Sequence, residues 1–299
     1  MNRITAICRN FLWGASSDYK NPPNISWGIC CMPKDEGGLG IKEAKTWNKA
    51  LLGKYVWWLA NKKDHLWVRW VNHVYMKNSP WTDYKAPSDC SWSWKKIVFI
   101  MSLFKQAYVN HHWLNSSHEY TVKAGYDWLR GSHPKVTWYH VFWNRLNLPK
   151  SSFICWEYMH KRLPTRDRLL RMGCPIDPVC STCCQADETH SHLVCECPYA
   201  IECFRILHCR LHVNFRVQDL ISWFSTVRRI SKFQKRFIGA CHVALIYWIW
   251  RVRNEAKMNA VLRRPEVLVL QVIHDLKARV LTLNSAPFVP RDYAWLQNV

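Results

Sequence analysis

Between Cys180 and Cys197 the chain reads CSTCCQADETHSHLVCEC, with five cysteines and two histidines in one short run. Thiolate sulfur and imidazole nitrogen are the ligands that a tetrahedral zinc ion takes most readily. Cys180 and Cys183, with two residues between them, form a tight knuckle that brings two sulfurs to one ion, and Pro178 favours the turn. His192 and Cys197 enclose four residues, about one helical turn or a bent loop, so both can face the same centre. The resulting pattern, C-x2-C-x8-H-x4-C, predicts one structural Zn2+ per chain held by Cys180, Cys183, His192 and Cys197. Cys184, His190 and Cys195 stand close enough to replace one of the four, and spacing alone leaves that open.

Four protein ligands close the coordination sphere, leaving no position for an activated water. Glu188 would be the base of an open site, yet neither a His-Glu-x-x-His nor a His-x-Glu arrangement accompanies it. The expected role is therefore structural, and no catalytic residue is assigned.

Composition bounds the partners. Forty-two Lys and Arg against 21 Asp and Glu give a net charge of +21, which predicts attraction to RNA or DNA. Fourteen cysteines without a secretory leader predict an intracellular protein with reduced thiols, nucleus or cytoplasm undecided. The most apolar run, FIGACHVALIYWIW from Phe237 to Trp250, is too short to span a membrane and reads as a buried helix. Nineteen tryptophans point mainly to core packing, with base stacking as a minority role.

Around these residues the pattern predicts a mainly α fold, with the zinc knuckle contributing a minor β-hairpin. Four regions separate: an aromatic helical region at 1–84, a connecting region at 85–117, the zinc-binding region at 118–205 and a C-terminal helical region at 206–299. In the first, Trp47, Ala50, Leu51, Lys54, Tyr55 and Trp58 recur at helical spacing, predicting one packed face. Thr165 with Asp167 marks a helix start and Gly173 its end. After Pro265, Leu268, Val272 and Leu276 line one stripe of an amphipathic helix.

The chain resembles the downstream part of plant LINE-type (non-LTR) retrotransposon reverse-transcriptase polyproteins, and its zinc segment resembles their reverse-transcriptase zinc-binding domain. The resemblance rests on Tyr120–Lys123, Trp143, Pro149, Lys150, Phe153, Trp156, Leu163 and Thr165–Leu169, then on Cys180, Cys183, Glu188, Thr189, His192, Leu193 and Cys197. It extends to FLWG at Phe11–Gly14, Trp27, Cys31, GGLGI at Gly37–Ile41, and WIWRVRNEA at Trp248–Ala256. It implies that residues 1–84 once packed against a polymerase domain not present in this chain. No Asp-Asp dipeptide occurs, so polymerase, endonuclease and ribonuclease H carboxylate sets are expected to be absent and the chain is not expected to be an enzyme.

Two functions follow. In one, the knuckle sits beside a basic helix whose Lys161, Arg162, Arg166, Arg168 and Arg171 meet phosphates while Trp156 and Tyr158 stack on bases. Arg166 and Arg168 near a helix N-terminus favour phosphate contact there. In the other, the chain is a structural or protein-interaction remnant that binds no nucleic acid.

Overall fold

A computed structural model describes residues 2–14, 23–77, 79–109, 119–259, 261–283 and 290–299. Positions 110–117 of the expected connecting region lie outside the described residues. The fold is mainly helical: α1 Asn2–Gly14, α2 Trp27–Cys31, α3 Ala44–Ala60, α4 Leu66–Val71, α5 Trp92–Val109, α6 Val122–Arg130 and α7 Tyr139–Phe142. There follow α8 Pro149–Met159, α9 Arg166–Arg171, α10 Pro198–Leu211, α11 Leu220–Thr226, α12 Lys232–Asn259, α13 Pro265–Thr282 and α14 Pro290–Asn298. Among the described residues the β pairing is one antiparallel bridge, Val179 with Asp187, at the foot of the knuckle.

Contacts divide the chain into two compact units, one of Met1–Pro23, Cys30–Met32 and Gly40–Pro134, the other of Asn24–Ile29, Pro33–Leu39 and Lys135–Val299. In the first, α3 packs against α5 and α6. Glu43 caps α3, its carboxylate accepting from the amides of Lys45 and Thr46 at 3.2 and 2.6 Å. The buried face of α3 is Ala50, Gly53, Val56, Trp57 and Leu59. That corrects the expected face, because Leu51 and Tyr55 are exposed and Tyr55 instead meets Trp58 and Trp67 edge-on at 5.4 and 5.0 Å. Helical periodicity marked the correct element and the wrong stripe, since aromatics at the rim of a cluster share the spacing of those inside it. Tyr120 drives its ring between α3 and α6 and donates its hydroxyl to the Ala50 carbonyl. Gly53 and Gly125 make this approach feasible, for a Cβ at either would collide with that ring.

The second unit is organised on α12, whose 28 residues span about 42 Å. It packs against α7, α8, α10, α11 and α13. Phe237, Ile238, Val243, Leu245, Ile249 and Val252 are all but inaccessible, as the apolar run requires. The α13 stripe of Leu268, Val272 and Leu276 is buried together with Val269, Ile273 and Val280. Among the described residues no helix is long and apolar enough to cross a membrane.

Candidate metal centre

The knuckle is a folded-back loop whose geometry follows from its backbone hydrogen bonds. Cys180 donates its amide to the Ala186 carbonyl at 2.8 Å, and Glu188 donates to Pro178 at 2.8 Å, making a short two-rung hairpin. Within it Cys184 donates to Cys180 at 3.0 Å and takes a left-handed φ of 55°, which turns the chain back. The second pair comes from a different device. Residues His192–Glu196 form a π-helical turn in which Cys197 donates its amide to the His192 carbonyl at 2.7 Å. A π turn carries about one residue more than an α turn, so ligands five positions apart return to the same side. The x4 spacing is thus matched by the wider turn, and Pro198 then starts α10.

These two devices bring the Sγ atoms of Cys180, Cys183 and Cys197 and a ring nitrogen of His192 within 4.8 Å of one another. Cys183 Sγ and His192 Nε2 are 3.3 Å apart. Tetrahedral zinc with Zn–S near 2.3 Å and Zn–N near 2.0 Å needs ligand atoms about 3.5–3.8 Å apart, so the donor set fits after a small contraction. Cys180 and Cys197 are inaccessible and His192 is nearly so, as a closed structural site requires. The Thr182 hydroxyl lies between two sulfurs, 3.1 Å from Cys180 and 3.2 Å from Cys197. Hydrogen bonds from Cys197 foremost, and also from Thr182, hold Cys180 well below the usual thiol range despite burial. Cys197, sharing its proton with Cys180, is pushed up. Zinc binding would displace the thiol protons that remain in the group.

The three competing residues are placed elsewhere. Cys184 is exposed. Cys195 turns toward the Tyr158 hydroxyl at 3.6 Å, and His190 stacks on the Tyr158 ring at 4.2 Å between centroids. None joins the converging group.

A polar clamp ties the knuckle to the helices around it. The Glu188 carboxylate is inaccessible and receives both the Nε and Nη2 donors of the equally buried Arg253 on α12, the former at 2.7 Å. The same carboxylate accepts the Arg166 amide at 3.0 Å, the first free N–H of α9. One side chain thus neutralises a buried guanidinium and caps a helix. Nothing in the sequence pairs two residues 65 positions apart, although Glu188 stands beside the knuckle histidines and Arg253 inside the WIWRVRNEA run.

This clamp corrects several expectations for the basic helix. The N-terminus of α9 is not open to phosphate, since Glu188 already fills the anion position there. Thr165 makes no capping bond and donates its hydroxyl to Asp167 instead. Arg166 is drawn into the knuckle, donating to the Asp177 carbonyl at 2.6 Å and to the Ser181 hydroxyl. Arg168 donates to the Arg162 carbonyl, and Arg171 pairs with Asp167 at 2.8 Å. Trp156 is wholly buried with its indole N–H on the Gly37 carbonyl at 2.8 Å, so it cannot stack on a base. Lys161, Arg162 and Arg171 remain exposed. Lys161, Arg168 and Arg171 line a cleft of about 610 Å³ together with Tyr158, His190 and Asp167.

Residues 120–204 match the protein family described as zinc-binding in reverse transcriptase. One segment of the chain is thus similar to reverse-transcriptase zinc-binding domains. This segment contains all four converging ligands and the Glu188 half of the clamp. Two plant relatives are similar to the chain. One, named "Putative ribonuclease H protein" in Arabidopsis thaliana, is 36% identical over 104 residues, which are 33% of this chain and 16% of that protein. The other, named as an uncharacterized mitochondrial protein of the same plant, is 24% identical over 97 residues, 32% of this chain and 63% of the relative. The chain therefore spans less than two thirds of either. No solved structure matches.

Proposed function

We propose that the chain is a zinc-stabilised nucleic-acid-binding piece of a plant non-LTR (LINE-type) retrotransposon reverse-transcriptase polyprotein, with no catalysis of its own. The observation that carries the reading is the buried convergence of three sulfurs and one imidazole within 4.8 Å, inside the segment matched to that zinc-binding family. Zn2+ held by Cys180, Cys183, His192 and Cys197 would supply a rigid cross-link between the hairpin and the π turn. The chain's own residues supply the rest: Thr182 braces two sulfurs, while Glu188 and Arg253 fasten the knuckle to α9 and α12. A net charge of +21 supports RNA or DNA as the partner.

The test is fluorescence anisotropy of the zinc-loaded chain with labelled RNA and DNA from 50 to 200 mM salt, conditions over which phosphate-driven affinity falls steeply. Affinity that is flat in salt, or absent, would overturn the nucleic-acid part of the reading. A zinc-loaded protein that self-associates without binding nucleic acid would favour a protein-interaction remnant. Leu66, Trp70 and Trp92, exposed by 85%, 49% and 73%, make that second reading concrete.

A further inference from the structure

Of the basic residues singled out near the knuckle, Arg166, Arg168 and Arg171 on α9 are bound by their own chain, whereas a second basic surface in the same unit is not. Two clefts, of about 530 and 360 Å³, share Trp143, Asn144 and Arg145 as a common wall. Lys34, Arg145, Lys232, Lys235 and Arg236 contribute five cationic side chains to their linings, which contain no Asp or Glu. No ion pair holds any of these five among the described residues. Burial and the nearby Arg228 pull Lys235 below the ordinary lysine range.

Aromatic rings alternate with these charges. Tyr139, Trp143 and Phe224 line the larger cleft, and Trp143 with Phe153 the smaller. Lys34 Nζ lies 4.4 Å from the Trp143 ring centre and Lys235 Nζ 4.7 Å from that of Phe224. Such cation–ring contacts are worth about 0.5–1 kcal/mol when exposed, whereas a base stacked on an aromatic ring is worth about 1–3 kcal/mol. A nucleotide would thus favourably replace the intramolecular pairing, its base taking the ring and its phosphate the released ammonium.

The cleft linings also carry hydrogen-bonding groups left over after folding. The Trp143 indole N–H has no partner among the described residues. Asn147, 5% exposed, spends its amide N–H groups on the Val141 and Phe142 carbonyls at 2.9 Å each, while its Oδ1 is unpartnered beside the smaller cleft. A buried acceptor without a partner costs about 1–3 kcal/mol, so a ligand that donates to it recovers that cost.

We infer that these joined clefts form a binding site for single-stranded nucleic acid, with phosphates on Lys34, Arg145, Lys232, Lys235 and Arg236 and bases on the aromatic wall. The inference deepens the proposed function and rests on it. A duplex hides its base faces, so the aromatic lining selects single strands, RNA or DNA alike.

The experiment compares the zinc-loaded full chain with an Arg145→Ala/Lys235→Ala/Arg236→Ala variant and a Lys161→Ala/Arg162→Ala/Arg171→Ala variant, each removing three positive charges. Anisotropy is read with a single-stranded 12-mer and a duplex of the same sequence, and zinc content and circular dichroism confirm that each variant folds. The cleft variant should lose at least tenfold in single-strand affinity and about two units of salt slope, from about 0.7 per phosphate contact. The Lys161→Ala/Arg162→Ala/Arg171→Ala variant should lose less than threefold. Equal losses in both variants, or undiminished binding by the cleft variant, would overturn the cleft while leaving nucleic-acid binding in place. No binding by the unmodified chain would overturn the function itself, and the cleft with it.

Discussion

The second unit holds two places rich in cysteine and histidine, and they differ in the direction their side chains point. In the knuckle three sulfurs and an imidazole converge, and hydrogen bonds from Cys197 and Thr182 hold the Cys180 thiol below its ordinary range. Around α12 the same residue types form no such group among the described residues. Cys155, Cys203 and Cys241 are inaccessible, and burial pushes each thiol up, that of Cys203 to about 12. His208 and His242 meet at 2.8 Å between their Nε2 atoms. His242 Nδ1 lies 2.7 Å from the Ile238 carbonyl, so it carries the proton, and its Nε2 must accept from His208. Phe204 and Phe215 stack on the His242 ring at 5.9 and 5.1 Å. Burial pulls both imidazoles below the ordinary histidine range, His242 to about 3. Residue type therefore does not define a metal site; convergence does, and convergence is a property of turns.

The contrast predicts effects of graded size. Cys180→Ser and His192→Ala should each reduce zinc from one per chain to none. Hydrogen exchange should then show the hairpin and α9 losing protection while α12 and α13 retain theirs, since structural zinc in small motifs contributes roughly 10 kcal/mol. Next in size, Glu188→Ala strands the buried Arg253 charge and should cost about 3–5 kcal/mol in denaturant unfolding. Replacing both partners by Leu and Met should recover part of that loss, because no buried charge is then left unpaired.

On the histidine pair, the sign follows from the lowered pKa. Above pH 6.5 His242 is neutral in the folded and unfolded chain alike and pH has no effect through it. As pH falls from about 6.5 toward 3 the unfolded chain gains a proton that the folded one refuses, so stability declines by up to about 1.4 kcal/mol per pH unit. His242→Phe should flatten that slope without altering zinc content; an unchanged slope would place the acid sensitivity elsewhere. Smallest of all, Cys203→Ala should cost about 1–2 kcal/mol in thermal unfolding, and Cys184→Ser nothing measurable, with one zinc retained in both.

The sequence carried much of this because its strongest signals are local. The helical run after Phe237, the stripe of Leu268, Val272 and Leu276, and the two ligand pairs all lie within a few turns of chain, where spacing translates directly into geometry. Gly173 does end α9, with a φ of 83°. What could not be read depends on partners distant in sequence. Trp156 is no stacking platform because Gly37 receives its indole proton across 119 positions. Arg166 is no phosphate ligand because Asp177 and Ser181 hold it, and α9 has no open N-terminus because Glu188 folds onto it. The basic clefts draw their charges from Lys34, Arg145 and the start of α12, three stretches that show no clustering until the chain is folded.

Cys180, Cys183, His192 and Cys197 are expected to hold one zinc ion in a closed site. Zinc K-edge X-ray absorption on the purified, reduced chain tests it most directly. Three sulfurs at about 2.3 Å and one nitrogen at about 2.0 Å with no oxygen ligand are expected, and no zinc in His192→Ala. A folded chain without zinc, or a first shell containing two nitrogens or a water oxygen, would contradict it.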